Sequence, residues 1–184
     1  MENGGEIYLG ARKLGVCERF VLMADVKSGA AVTYDALHAL LAEFNGKYPG
    51  LFTTYGFNET TIPGAVDFLL SGNRVSPQTL LDQPERFAAL DGRILDNLDH
   101  NYGPEVMPWL SQAWSAVFGL ARPPFSESVV TRLAEITGKA HERGQLVRFW
   151  ETPDDETFWD ALLENDVDLI NNDDYARLSQ YLRN

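Results

Sequence analysis

The chain is poor in the residues on which several common chemistries depend. Cysteine occurs once, as Cys17, which rules out an internal disulfide and a cysteine metal cluster. Histidine occurs three times, as His38, His100 and His141, and no two stand at the spacing of a metal-binding pair. Positive charge is scarce, with 15 Lys and Arg against 27 Asp and Glu for a formal net charge of −12. A general nucleic-acid or anionic-membrane binder needs a basic face, so neither partner is expected. No apolar run approaches the ~20 residues of a membrane-spanning helix, and no transmembrane segment is expected. The opening Met1-Glu2-Asn3-Gly4-Gly5-Glu6 lacks the basic region and apolar core of a signal peptide. By default that places the chain in the cytoplasm, with a secreted or membrane-associated longer parent left open. There is no P-loop, no nucleophile elbow, no close repeat and no low-complexity tract.

What remains is an ordinary globular mixture, 45% hydrophobic and 23% charged over 184 residues. That length supports one sizeable core. The most telling stretch runs from Arg19 to Gly29. Four apolar residues, Val21 to Ala24, are followed by Asp25, Val26, Lys27 and a Ser28-Gly29 turn. Such a run fits a strand buried on both faces, as in a parallel sheet. Alternation along the strand puts Met23, Asp25 and Lys27 on one face. A charged pair at the end of a buried strand is costly unless it is paired, liganded or used.

The same pattern recurs: apolar strand, polar tip, turn, amphipathic helix. Residues 1–18 read as a loosely ordered lead-in to one domain over 19–184. The first strand spans about 19–27, and a helix from about Thr33 to Asn45 carries the stripe Leu37, Leu40, Leu41 and Phe44. Further strands are expected at 65–70, 87–90, 108–111, 145–150 and 167–170, with a short extended piece at 51–55. Further helices are expected at 77–81, from Ser126 to the Gly144 stop, from Thr152-Pro153 onward with Phe158, Trp159, Leu162 and Leu163 inward, and after Asp174 with Tyr175, Leu178 and Leu182 inward. The segment 95–108 reads as a long polar loop.

Alternating strands and helices predict an α/β fold with a parallel sheet and right-handed crossovers. A full (β/α)8 barrel takes about 250 residues. At that rate the chain supplies about six strands with surrounding helices, an incomplete TIM (β/α)8 barrel with raw strand edges. A doubly wound open sheet is the alternative, but its Gly-rich phosphate turn is missing. In such sheets function sits at the carboxyl ends of the strands. Those ends carry Asp25 and Lys27, Ser71 to Arg74, Asp91 and Arg93, Ser111, Arg148 and Trp150, and Asn171 to Asp174. Arg148 and Arg74 have the guanidinium fork that matches phosphate oxygens. Asp25 is a candidate oxygen ligand for Mg²⁺ or Ca²⁺. A salt-bridge network among Asp25, Lys27, Asp91 and Arg148, ordinary turns at Ser71–Arg74 and Asp91–Arg93, a helix cap at Asn171–Asp174, and packing roles for Trp114 and Trp150 stay open beside these readings. None of the three histidines falls at a strand tip.

Several of these stretches, taken in order, are familiar. They are Val21-Leu22-Met23-Ala24-Asp25-Val26-Lys27-Ser28, Leu70-Ser71-Gly72-Asn73-Arg74, Leu90-Asp91-Gly92-Arg93, Ala140-His141-Glu142-Arg143-Gly144, Leu146-Val147-Arg148-Phe149-Trp150 and Val167 to Asp174. From about Phe20 to the C-terminus the set resembles the glycerophosphodiester phosphodiesterase and phosphatidylinositol phospholipase C-like superfamily, in the branch that contains altered-inheritance-of-mitochondria protein six. Members are TIM-barrel phosphodiesterases, usually metal-dependent. The resemblance implies a metal-ligand role for Asp25, phosphate or substrate contacts for Lys27, Asn73, Arg74, Arg148 and Trp150, and supporting positions for Ser71, Asp91, Arg93 and Asn171. The family's two proton-transferring histidines and its Glu-x-Asp metal pair belong to N-terminal motifs that do not occur here, so the chain matches units three to eight of the barrel.

The resemblance therefore implies the C-terminal part of a metal-dependent phosphoric diester hydrolase acting on glycerophosphodiester or phosphoinositide-like substrates and inactive alone. The divalent cation, Mg²⁺ or Ca²⁺, belongs to the complete enzyme, with weak or no binding in this chain. The expected ligand is a small phosphodiester or lipid headgroup. The alternative is a non-catalytic phosphate-binding or assembly module, completed by an N-terminal complementing chain or self-associating through its open edges.

Overall fold

The apolar runs form parallel strands. A computed structural model describes residues 20–56 and 60–183. The expected lead-in over 1–18 and Cys17 lie outside the described residues. The chain divides into two compact units, Met1–Asp91 and Gly92–Asn184, described in turn.

The first unit opens with β1 (Phe20–Val26), continues through α1 (Ala30–Lys47) and returns as β4 (Val66–Gly72). β1 and β4 pair in parallel, with Asp25 opposite Ser71. β4 pairs in parallel with β6 (Ala88–Arg93), whose last two residues belong to the second unit. α2 (Pro77–Leu81) lies between them, capped by the Ser76 side chain and carrying Pro at its start, where a missing N–H costs nothing. Leu69, Leu70, Leu80, Ala89 and Leu90 are at most 1% exposed.

Between α1 and β6 the chain also forms a small antiparallel sheet, whose central strand overlaps the extended piece expected at 51–55. β2 (Thr54–Gly56) is its centre, flanked by β3 (Thr61–Ile62) and β5 (Glu85–Arg86). Arg86 is buried and lies 4.4 Å over the Tyr55 ring. α1 differs from expectation in two ways. It starts at Ala30 and runs through Gly46, and only part of its apolar stripe is inside. Leu41 and Tyr34 are buried, while Leu40 and Phe44 are 46% and 42% exposed. On β1, Phe20 and Leu22 are exposed as well.

The second unit begins where β6 ends and turns at once into α3 (Ile94–Asn97). β7 (Trp109–Ala113) runs directly into α4 (Trp114–Phe118). α5 (Glu127–His141) follows, then β8 (Leu146–Trp150), α6 (Glu156–Glu164), β9 (Leu169–Ile170) and α7 (Tyr175–Arg183). β7, β8 and β9 pair in parallel. Leu133, Ile136 and Ala140 of α5, Val147 and Phe149 of β8, and Phe158, Trp159 and Leu162 of α6 are fully buried. Each large apolar side chain among them contributes about 1.5–3 kcal/mol. Trp114 packs among Phe118, Phe125, Phe149 and Phe158 and donates its indole N–H to Ala121 O at 3.0 Å, a core role.

Two details of the second unit differ from expectation. α6 is capped by Asp155, which accepts from Phe158 N at 2.8 Å, while the Thr152 hydroxyl donates to Asn171 O. Tyr175, expected inward on α7, is 76% exposed. The parallel strands follow the hydrogen-bonded order β1-β4-β6-β7-β8-β9. The fold class is the expected one: α/β, an incomplete TIM-type barrel with helices in the connections between six parallel strands.

Candidate functional site

The polar strand tips fall into two sets, one in each unit. In the first unit Asp25, one residue before the end of β1, has its carboxylate 2.7 Å from Lys27 Nζ, and the two side chains are 52% and 80% exposed. The pair thus stands in solvent rather than in a buried network, where an ion pair contributes about 0–1 kcal/mol. Gly72 makes room for it. Its φ is +68°, and a Cβ there would lie 2.3 Å from Asp25 Oδ1 and 2.4 Å from Val26 O, so the position requires glycine. Asn73 donates its side-chain amide to Ser28 O at 3.3 Å and its backbone N–H to Val26 O at 2.8 Å. Arg74 Nη1 donates to Gly72 O at 3.4 Å. Both side chains secure the turn after β4. Ser71 donates to Asp91 Oδ2 at 2.6 Å, and both residues are buried.

Asp25 is the candidate metal ligand of this set. A hard divalent cation takes six or more oxygen ligands. Among the described residues no three His, Cys, Asp or Glu side chains converge as a cation site, and the Asp25 carboxylate faces an ammonium. Among the described residues, those around Asp25 do not make the ligand set such a cation needs.

In the second unit the register of the sheet builds a row. Ser111 of β7 stands opposite Arg148 of β8, and Ser111 is fully buried. From the end of β6, Arg93 donates Nη1 to Ser111 Oγ at 3.2 Å and to Gly92 O at 3.2 Å. Its backbone N–H donates to Asn97 Oδ1 at 2.7 Å, which fixes the turn into α3. Arg148 Nη2 donates to Asn171 Oδ1, just past β9. Four adjacent parallel strands thus place Arg93, Ser111, Arg148 and Asn171 side by side at their carboxyl ends.

Trp150 lies two residues beyond Arg148, on the same face of β8 and opposite Ala113, and is half-buried. Glu151, which follows it, has φ +61°, and its carboxylate accepts from the Ser115 hydroxyl at 2.7 Å. Asn172 donates to Asp154 Oδ1 at 2.7 Å.

The row has two guanidinium groups, a hydroxyl and an amide, which together suit an oxyanion. It has no imidazole, thiol or amine to take up a proton. The histidines are occupied otherwise. His38 packs against Tyr34 and Phe87, and His100 stacks on Tyr102. His141 Nε2 meets Asp168 Oδ2 at 2.8 Å, and the same oxygen accepts from Val147 N at the start of β8.

Two contributors escape sequence reading. Gln145, 1% exposed, donates to Tyr102 O and Met107 O. Arg143 donates to Gln145 Oε1 and to Leu98 O. Together they tie down the long 98–108 segment, which contains no regular element to predict. A polar residue just before an apolar strand was the available signal.

Comparison of the chain with family models, with curated proteins and with solved structures found no match.

Proposed function

We propose that the chain is the C-terminal part of a phosphoric diester hydrolase of the glycerophosphodiester phosphodiesterase type, and that this part binds phosphate without itself transferring protons. The observation that carries the reading is the row Arg93–Ser111–Arg148–Asn171 at the carboxyl ends of adjacent parallel strands, the end where such folds place their chemistry. Two planar guanidinium groups from neighbouring strands offer paired donors to a tetrahedral oxyanion. The buried Ser111 hydroxyl fixes one of them. The row provides no general base, so hydrolysis requires groups from elsewhere.

The test is a titration of the purified chain with orthophosphate and with a glycerophosphodiester, followed by calorimetry and by thermal shift, beside a turnover assay with Mg²⁺ or Ca²⁺. Binding raises the melting temperature, because a ligand at 100 times its Kd adds about 2.7 kcal/mol. Arg148→Ala removes a charged donor worth about 1.5–3 kcal/mol and should weaken phosphate binding about 10-fold to 100-fold. No turnover is expected. Turnover by this chain alone, or phosphate affinity untouched by Arg148→Ala, would overturn the reading.

A further inference from the structure

Among the described residues of the second unit, the large apolar side chains that stand exposed are Leu95, Leu120, Val130 and Tyr175. Their places in the chain put all four at one end of the sheet. β7, β8 and β9 are parallel, so each connection leaves a carboxyl end and returns to an amino end. Leu95 follows β6 directly, in α3, and its backbone N–H donates to Gln112 Oε1 near the end of β7 at 3.4 Å. Leu120 lies between α4 and α5, and Val130 stands at the start of α5. Tyr175 is the first residue of α7, past β9. The segments that enter the amino ends, 98–108, 142–145 and 165–168, expose no large apolar side chain.

The carboxyl-end connections are tied to one another. Ser115 donates to Glu151 at 2.7 Å, and Arg122 meets Asp155 at 3.9 Å. Thr152 donates to Asn171 O at 3.4 Å, and Arg177 donates to Asp154 O at 3.0 Å. Leu120 is 96% exposed, yet the chain beside it is held: Ala121 N donates to Phe118 O at 3.2 Å, and Ala121 O accepts from the Trp114 indole at 3.0 Å. Exposed leucines scattered singly are normal, but a one-ended set on a fixed rim marks a contact surface.

Charge says what this surface meets. Glu151, Asp154, Asp173 and Asp174 are exposed on the same connections. The exposed bases there, Arg122 and Arg177, face Asp155 and Glu156 at 3.9 and 3.6 Å. Such a rim repels an anionic bilayer. A phosphocholine surface instead presents quaternary ammonium groups outermost, which carboxylates attract, with an apolar layer beneath that takes up leucine and tyrosine. We infer that this rim docks the protein on a zwitterionic, phosphocholine-type lipid surface. Leu95, Leu120 and Tyr175 enter the interface, and the acids meet the ammonium groups. Docking brings headgroup phosphates to the end of the sheet that carries the row Arg93–Ser111–Arg148–Asn171, but it requires nothing of that row and stands even if orthophosphate does not bind.

Cosedimentation of the purified chain with phosphatidylcholine vesicles is the test, and the chain should pellet with them. Leu120→Ser should weaken partitioning on the order of tenfold, because the apolar area that it removes no longer leaves water. Its melting temperature should match that of the original chain, since the side chain is almost fully exposed. The triple substitution Leu95→Ser, Leu120→Ser and Tyr175→Ser should abolish binding. Adding phosphatidylserine to the vesicles should weaken binding by the original chain, and raised ionic strength should restore part of it. A chain that does not pellet with phosphatidylcholine overturns the inference. So does a triple variant that binds like the original, or tighter binding to the phosphatidylserine vesicles. Light scattering that shows self-association abolished by the triple substitution, without vesicle binding, assigns the rim to a second copy and overturns it as well. Orthophosphate affinity should be equal in the triple variant and the original chain, so a failure of docking and a failure of the phosphate-binding reading are seen separately.

Discussion

Gln145→Ala should be among the most damaging single changes in the second unit. Gln145 is 1% exposed. Its Nε2 donates to Met107 O at 2.8 Å and to Tyr102 O at 3.1 Å. Its Oε1 accepts from Arg143 Nε at 3.0 Å. Truncation leaves a buried carbonyl at Met107, a partly buried one at Tyr102 and one guanidinium N–H. An abandoned buried polar group costs about 1–3 kcal/mol and a partly wet one about 1 kcal/mol. The sum is about 3–5 kcal/mol, which for a chain of this size lowers the melting temperature by roughly 6–20 °C.

Thermal unfolding measures the total, and hydrogen exchange locates it. Val106 N and Met107 N both donate to Gly103 O, and their amides should lose protection first. Gln145→Glu is the control for shape, since it preserves the volume but replaces two N–H donors by an oxygen aimed at two carbonyls. It should destabilise at least as much as Ala. A Gln145→Ala protein that melts within 2 °C of the original, or a Gln145→Glu protein that matches it, would show that the amide is not what holds the segment.

Long apolar runs made the parallel strands legible. Val66 to Leu70 and Leu146 to Trp150 are apolar enough for burial and end in charge or a turn, and both became strands. The short elements were not legible for a physical reason. β3 and β5 are two residues each, too short for any period to show, and of β2 only an extended piece at 51–55 was readable. α3 and α4, of four and five residues, follow their strands without a break and carry no stripe. On α1 apolar residues occupy more than one face: Val32 is 78% exposed while Leu41 is buried, so the periodic pattern could not say which side goes in. At α6 the start expected at Thr152-Pro153 falls before the helix, which begins at Glu156 with Asp155 as its cap, while Thr152 donates to Asn171 O. The site was legible as residue types at strand ends. What pairs with what was not, because it depends on register: Ser111 meets Arg148 only because Trp109 aligns with Leu146.

Two surface and core groups give pH-dependent predictions. Lys139 Nζ bridges Asp99 and Glu135 at 2.8 and 3.0 Å, and the hydrogen bonds from Lys139 and Arg132 hold the two carboxyls below their ordinary values of 3.8 and 4.5. Lowered carboxyls stabilise the fold above their unfolded values and lose that contribution as pH falls through the lowered ones. Lys139→Met should therefore be less stable than the original chain at pH 7 in low salt, and the gap should shrink as pH falls through the lowered carboxyl values; a gap that does not shrink in acid would exclude the bridge as its cause. Tyr34 makes the opposite case. It is 3% exposed, and its hydroxyl has no hydrogen-bond partner among the described residues. Burial raises the phenol above its ordinary 10.0, with Arg86 opposing the shift. Removing an unsatisfied buried hydroxyl relieves its desolvation cost, so Tyr34→Phe should stabilise the protein by about 1 kcal/mol at neutral pH. Above pH 10 the unfolded chain ionises this tyrosine before the folded one does, which draws the equilibrium toward unfolding. The original chain should lose stability over that range while Tyr34→Phe does not, so the gap between them should widen with pH. Urea titrations at pH 7 and pH 10.5 measure both gaps. A Phe variant less stable than the original at pH 7, or a gap that does not grow, would mean that the hydroxyl has a partner after all.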